Sequence, residues 1–203
     1  MGFILCGLVI LRAARRDHRE HLRGLAWIAL TTGVGSAFFH ASETFLGRLF
    51  DYGGMYLGAS YMLAANMRRW LAMGRPTIRV IFWASTAAPL LFMFVSDSYA
   101  ASIYFFEGLF CCGLIEALLY VRQRRTRSVR YKGLLGYWLV FLIAYAFWWL
   151  DKTKTLCNPD NHWISGHGVW HLLDALALYL VYLFYRQFDV LRFRGGPAPA
   201  VPV

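Results

Sequence analysis

The chain has 203 residues, of which 59% are hydrophobic and only 16% charged, and the apolar residues fall in long blocks. That excludes a soluble domain of this size and points to a polytopic membrane protein. The formal net charge of +10 would suit a nucleic-acid binder if the basic residues shared one soluble face, but here they sit between the apolar blocks, so they read as topology signals and no nucleic-acid partner is expected.

A membrane-crossing helix needs about 20 mainly apolar residues. Blocks of that kind run over residues 1–14, 24–42, 49–67, 78–96, 99–121, 133–150 and 166–185. In the first, MGFILCGLVILRAARR, the basic residues follow the apolar run, which reads as a short or truncated first span rather than a cleaved leader. Backbone groups in lipid must bond within the chain, so the expected fold is all-α: a polytopic bundle of about seven transmembrane helices over residues 1–185, followed by a flexible cytoplasmic tail, residues 186–203, that ends GGPAPAVPV.

Charge then orients the bundle. Arg12, Arg15, Arg16, Arg19 and Arg23 separate the first two blocks, and Arg68, Arg69, Arg75 and Arg79 separate the third and fourth. A third cluster, Arg122 to Lys132, precedes the sixth block, and Arg186, Arg192 and Arg194 follow the seventh; only Arg48, Lys152 and Lys154 lie on the opposite side. The positive-inside rule places the N-terminus outside and the C-terminus in the cytoplasm, an odd number of crossings that agrees with seven. Short loops fit a bacterial inner membrane better than an internal eukaryotic one.

With that orientation, polar residues gather near the outer face. Ser36 and His40 lie one turn apart on one face of the second block, Asp51 opens the third, and the seventh begins GHGVWHLLD, with His167 and His171 spaced i, i+4 and Asp174 a further turn along the same stripe. Three neutral imidazoles are what a catalytic Zn2+ site needs, with a fourth position open for water, and His40, His167 and His171 are expected to supply them. Asp51 would orient a ligand or hold and deprotonate the water, and Ser36 would donate a hydrogen bond to an oxyanion forming at a carbonyl. The competing reading of each histidine taken singly is an interhelical hydrogen bond, and of Ser36 ordinary small-residue packing. Asp174 reads equally well as a group supporting the metal ligands or as a partner for a neighbouring helix.

Elsewhere, Glu107 and Glu116 either line a polar path or pair with an Arg. His162 reads as a surface residue of a long outer loop, and His18 and His21 belong to the basic cytoplasmic loop. The four cysteines, Cys6, Cys111, Cys112 and Cys157, form no C-x-x-C pair and no disulfide framework.

The S-x-x-x-H of GSAFFH, the Asp of LFDYGG and the late H-x-x-x-H of SGHGVWHLL together resemble the CREST superfamily of seven-helix membrane hydrolases, which includes alkaline ceramidases and the progestin/adiponectin receptors. The resemblance runs from about residue 24 to 185. Residues 150–180, with an Asp and a Cys before the histidine pair, and the expected topology both look closest to alkaline ceramidases. It implies zinc held by His40, His167 and His171, with Ser36 and Asp51 beside it. The implied reaction is hydrolysis of ceramide or a related membrane-lipid amide to a fatty acid and a sphingoid base. The alternative is a receptor-like or haemolysin-III-like lipid-binding protein with a structural zinc; a proton-coupled transporter is a third. One departure from the family pattern is the missing acidic, tryptophan-containing start that binds calcium: the first acidic residue here is Asp17. That puts calcium regulation in doubt, and any disulfide partner of Cys157 with it.

Overall fold

The structure is a computed structural model that describes residues 1–95, 98–123, 129–155 and 165–188. Cys157, His162 and the end of the tail lie outside the described residues. Those described form seven α-helices and no strand: α1 (Gly2–Arg16), α2 (Arg23–Ser42), α3 (Phe45–Leu71), α4 (Arg75–Phe92), α5 (Ser98–Gln123), α6 (Lys132–Lys152) and α7 (Gly166–Tyr185). A 3-10 turn, Glu20–Leu22, leads into α2.

The helices α2, α6 and α7, with residues 102–123 of α5, are long and apolar enough to cross a membrane. Of the others, α1 has only 15 residues, and α3 and α4 are less apolar than these four. The fold is a helical membrane bundle. Apolar periodicity places α3 at residues 49–67, but the helix starts at Phe45 because the Thr44 hydroxyl accepts a hydrogen bond from the Gly47 amide at 3.0 Å. It continues to Leu71, where Ala72 turns left-handed at φ 50°. Asp51 therefore stands in the second turn of α3 rather than at its opening.

Two compact units are present, and the division falls inside α2. The first comprises residues 1–33 and 130–187. Lipid tails are as apolar as leucine, so helices in a membrane associate through close packing rather than hydrophobic transfer, and small residues let backbones approach. Here Gly7 and Gly33 do this for α1 and α2: a Cβ on Gly7 would lie 2.9 Å from the Ala26 carbonyl oxygen, and one on Gly33 would lie 3.1 Å from the Ile4 nitrogen. Against α7, α1 is placed at both ends. Gly2 sits on Leu172 and Ala175, and at the far end Asp17 forms an ion pair with Arg186.

The second unit comprises residues 34–129 together with the stretch from Phe188. Its centre is a buried ion pair between α3 and α5. Arg69 forks onto both carboxylate oxygens of Glu116, one contact measuring 3.0 Å, and the two side chains are 2% and 4% exposed. The guanidinium also stacks 3.8 Å from the centre of the Phe188 ring. Nearby, Asn66 donates to the Cys112 carbonyl at 3.2 Å. Of the two readings of Glu116, pairing with an arginine is the one realised.

Because removing one partner strands an uncompensated charge, Glu116→Leu is expected to cost about 3–5 kcal/mol, whereas Arg69→Met with Glu116→Leu recovers most of the loss. Thermal unfolding in detergent checks both. A second test concerns Asp17, whose carboxyl is held below the usual carboxylate range by a hydrogen bond from the Arg16 guanidinium and by the charge of Arg186. A lowered folded value gives stability that is complete above the unfolded carboxylate pKa, about 4, and lost as pH falls through the folded value. Asp17→Asn should lower the melting temperature at pH 7, and the difference from wild type should close below about pH 4.

Candidate metal centre

The second half of α2 and the start of α3 form a tight helical hairpin. Glu43 reverses the chain in the left-handed region, φ 51°, and the Ser42 and Thr44 hydroxyls bond across the turn at 3.0 Å. Two glycines then bring the backbones together. A Cβ on Gly35 would lie 2.6 Å from the Phe50 carbonyl oxygen, and one on Gly47 would lie 2.8 Å from the Phe39 Cα; neither contact leaves room for a side chain.

This approach sets the Phe50–Asp51 peptide against Gly35 and Ser36. As a result the Ser36 hydroxyl donates to the Asp51 carboxylate, and both residues are buried, at 7% and 9% exposure. A hydroxyl has one proton to give, so in this arrangement Ser36 spends it on Asp51. His40 lies one turn beyond Ser36 on α2, and its ring leans on Phe39 at 5.3 Å.

The other two histidines depend on how α7 starts. The Ser165 hydroxyl caps the helix by accepting from the Gly168 amide at 2.9 Å, while Asp151, at the end of α6, accepts from the Gly166 amide at 3.2 Å. Gly166 also lies flush on α6, where a Cβ would meet the Phe147 carbonyl oxygen at 2.8 Å. With the first turn pinned, His167 and His171 fall on one face, their ring centres 4.7 Å apart at 76°. The Phe3 ring packs edge-on to His171 at 6.2 Å. Trp170, buried with Phe141 and Trp148 around it, fixes the rotation of the helix.

One ligand nitrogen from each of His40, His167 and His171 lies within 4.8 Å of the others, a three-histidine group that could hold a metal ion and the one such group among the described residues. The donor set suits zinc: three neutral nitrogens, with a fourth position left over. The remaining candidates take other places. Glu107 is exposed, Glu116 belongs to the Arg69 pair, and His18 and His21 lie between α1 and α2. Cys6, Cys111 and Cys112 are free.

Gly35, Gly166 and Asp151 were not singled out by their position in the sequence, yet they fix the geometry. The first two carry a faint signal, a glycine immediately before a chemically useful Ser or His; the third is an acid at the end of a strongly apolar block.

An all-helical membrane bundle bearing a three-histidine group is the class of protein these observations define. The family profile described as Ceramidase matches residues 1–197, and the chain belongs to the Ceramidase family, in agreement with the resemblance to alkaline ceramidases. Membership supports a ceramide-hydrolase-like function, a hydrolase acting on amides with a lipid substrate in a membrane setting. No solved structure matches the chain.

The close approach at Gly35 generates a test. Gly35→Ala forces its methyl group against the Phe50 carbonyl and should cost about 1–3 kcal/mol by overpacking, with Asp51 displaced and turnover reduced while bound metal is retained. Gly53→Ala is the control, because its Cβ would meet nothing nearer than Leu90 methyl groups at 3.9 Å. Melting temperature, metal content and fatty-acid release on the two variants check the contrast.

Proposed function

We propose that this protein is a zinc-dependent amidase that hydrolyses ceramide or a closely related lipid amide within the membrane. The observation that carries this reading is the three-histidine group in a chain of the Ceramidase family. His40, His167 and His171 hold the ion, and zinc, when bound, supplies a Lewis acid that acidifies water and polarises a carbonyl. The chain's own groups do the remaining work.

Asp51 is the general base and acid. It takes a proton from the attacking water as that oxygen bonds to the amide carbonyl carbon, and it delivers the proton to the departing nitrogen as the C–N bond breaks, which leaves a fatty acid and a sphingoid base. Ser36 is a positioning residue in this scheme. Its hydrogen bond to Asp51 keeps the carboxylate in one rotamer, so that no reorganisation is needed when the proton moves. The charge distribution along the sequence supports an N-terminus outside and a C-terminus in the cytoplasm, which sets the histidines at the outer end of the bundle.

Elemental analysis of detergent-purified protein, with fatty-acid release from a panel of ceramides measured on the same samples, tests the reading. Wild type should carry about one zinc per chain, and His40→Ala and His171→Ala should lose both the metal and turnover. Asp51→Asn should keep the metal and lose about 10²–10⁴-fold in turnover. Undiminished turnover in Asp51→Asn would remove it from the mechanism; zinc without turnover in the wild type would favour a receptor-like lipid-binding protein.

A further inference from the structure

Asp174 is a carboxyl group the proposed reaction does not use. It lies on α7 three residues past His171, and its Oδ1 is sealed from solvent with no hydrogen-bond partner among the described residues. Burying an acceptor without a donor costs about 1–3 kcal/mol, more for a charged group. In a membrane protein such a group is retained for a purpose when the protein itself offers it nothing. Asp174 is half-buried, whereas the two fully buried acids are satisfied: Glu116 by Arg69 and Asp51 by Ser36.

Helix geometry says what lies near Asp174. At about 100° per residue, His167, His171 and Asp174 fall within an arc of about 60°, and Asp174 follows His171 by about 4.5 Å along the axis. Helical side chains lean toward the N-terminus of their helix, which carries the carboxyl back toward the level of His171. A lipid amide held at the histidines therefore has an unpartnered acceptor about one turn away. In an N-acylated 2-amino-1,3-diol each hydroxyl oxygen is three bonds from the amide nitrogen, closer than the helical pitch of about 5.4 Å. A simple N-alkyl amide keeps its N–H but has no hydroxyl to offer there.

We infer that Asp174 accepts a hydrogen bond from a hydroxyl of the amino-diol end of the lipid, and so makes the site selective for N-acyl amino alcohols over amides of plain alkylamines. The assignment rests on the lipid-amidase reading. A site built to hydrogen-bond a hydroxyl rejects the analogue lacking it because its own buried polar group is then left unpaired, whereas an apolar pocket discriminates weakly.

The test measures binding, so that it does not depend on turnover. Detergent-purified, metal-loaded protein is titrated calorimetrically with a long-chain 2-amino-1,3-diol and with a 1-aminoalkane of equal chain length; both carry the same ammonium group, so only the hydroxyls differ. Wild type should bind the diol at least about 10-fold more tightly. Asp174→Leu should reduce that advantage to below about 2-fold while metal content and affinity for the alkylamine stay near wild type, and Asp174→Asn, which keeps an acceptor oxygen, should retain part of it. Three results overturn the inference: no discrimination in the wild type, equal loss for both lipids in Asp174→Leu, or loss of metal in that variant, which would make Asp174 a support for the histidines. Should Asp174→Leu fail to fold, wild type and Asp174→Asn decide the matter. Ceramide turnover on the same samples separates the two ideas. Discrimination without turnover sinks the amidase and leaves the diol site, and turnover without discrimination does the reverse.

Discussion

Hydrocarbon offers no hydrogen-bond partners, and every other feature of this protein follows from that. A backbone group left unpaired there costs several kcal/mol, so the described chain is helix after helix. The same constraint governs side chains. Arg69 and Glu116 are almost wholly enclosed and satisfy each other through two contacts, with Phe188 covering the guanidinium and Asn66 tied to α5 through the Cys112 carbonyl. This network is also the best argument against a proton path along α5: the acid such a path would need is already engaged as one half of an ion pair.

The apolar surroundings also remove the usual force that drives helices together, which leaves contact as the main cohesive term. Glycine is where contact becomes closest, and the glycines of this chain sit where position matters most. Gly35 and Gly47 close the hairpin between α2 and α3, and Gly166 seats α7 on α6. Gly35 and Gly166 also neighbour a residue with chemistry to perform, Ser36 and His167. Packing and chemistry are thus one problem here, because the contact that holds two helices together is the contact that aligns Ser36 with Asp51 or sets the first turn carrying His167.

Much of this was legible in the sequence. Long apolar blocks gave the helices, i, i+4 spacing put His167 and His171 on one face, and the charge bias that orients the bundle put His40 at the same depth. Less legible was whatever depended on a partner distant along the chain. The extension of α3 back to Phe45 turned on the Thr44 cap, which apolar periodicity does not register, and it moved Asp51 inward by more than a helical turn. The engagement of the Ser36 hydroxyl by Asp51 arises from the Gly35 contact, which spacing on a single helix cannot reveal. Asp151 as the anchor of Gly166 is invisible until the hairpin between α6 and α7 is closed. Helix formation is decided locally, whereas partner choice is decided by tertiary approach.

The two aspartates near the histidines illustrate how environment divides labour between identical side chains. Asp51 has a donor fixed beside it by a backbone contact too close for any side chain but hydrogen, so its oxygens are held in place; that suits a group that must meet a proton at one point in a reaction. Asp174 has a sealed Oδ1 with no donor among the described residues, and its helix is held by packing elsewhere, at Trp170 and at the Gly166 contact. Its stabilising partner therefore has to arrive with something that binds. Partnered, a buried carboxylate is an instrument of positioning; unpartnered, it is a source of selectivity, since only a ligand carrying a hydrogen-bond donor relieves the cost of its burial.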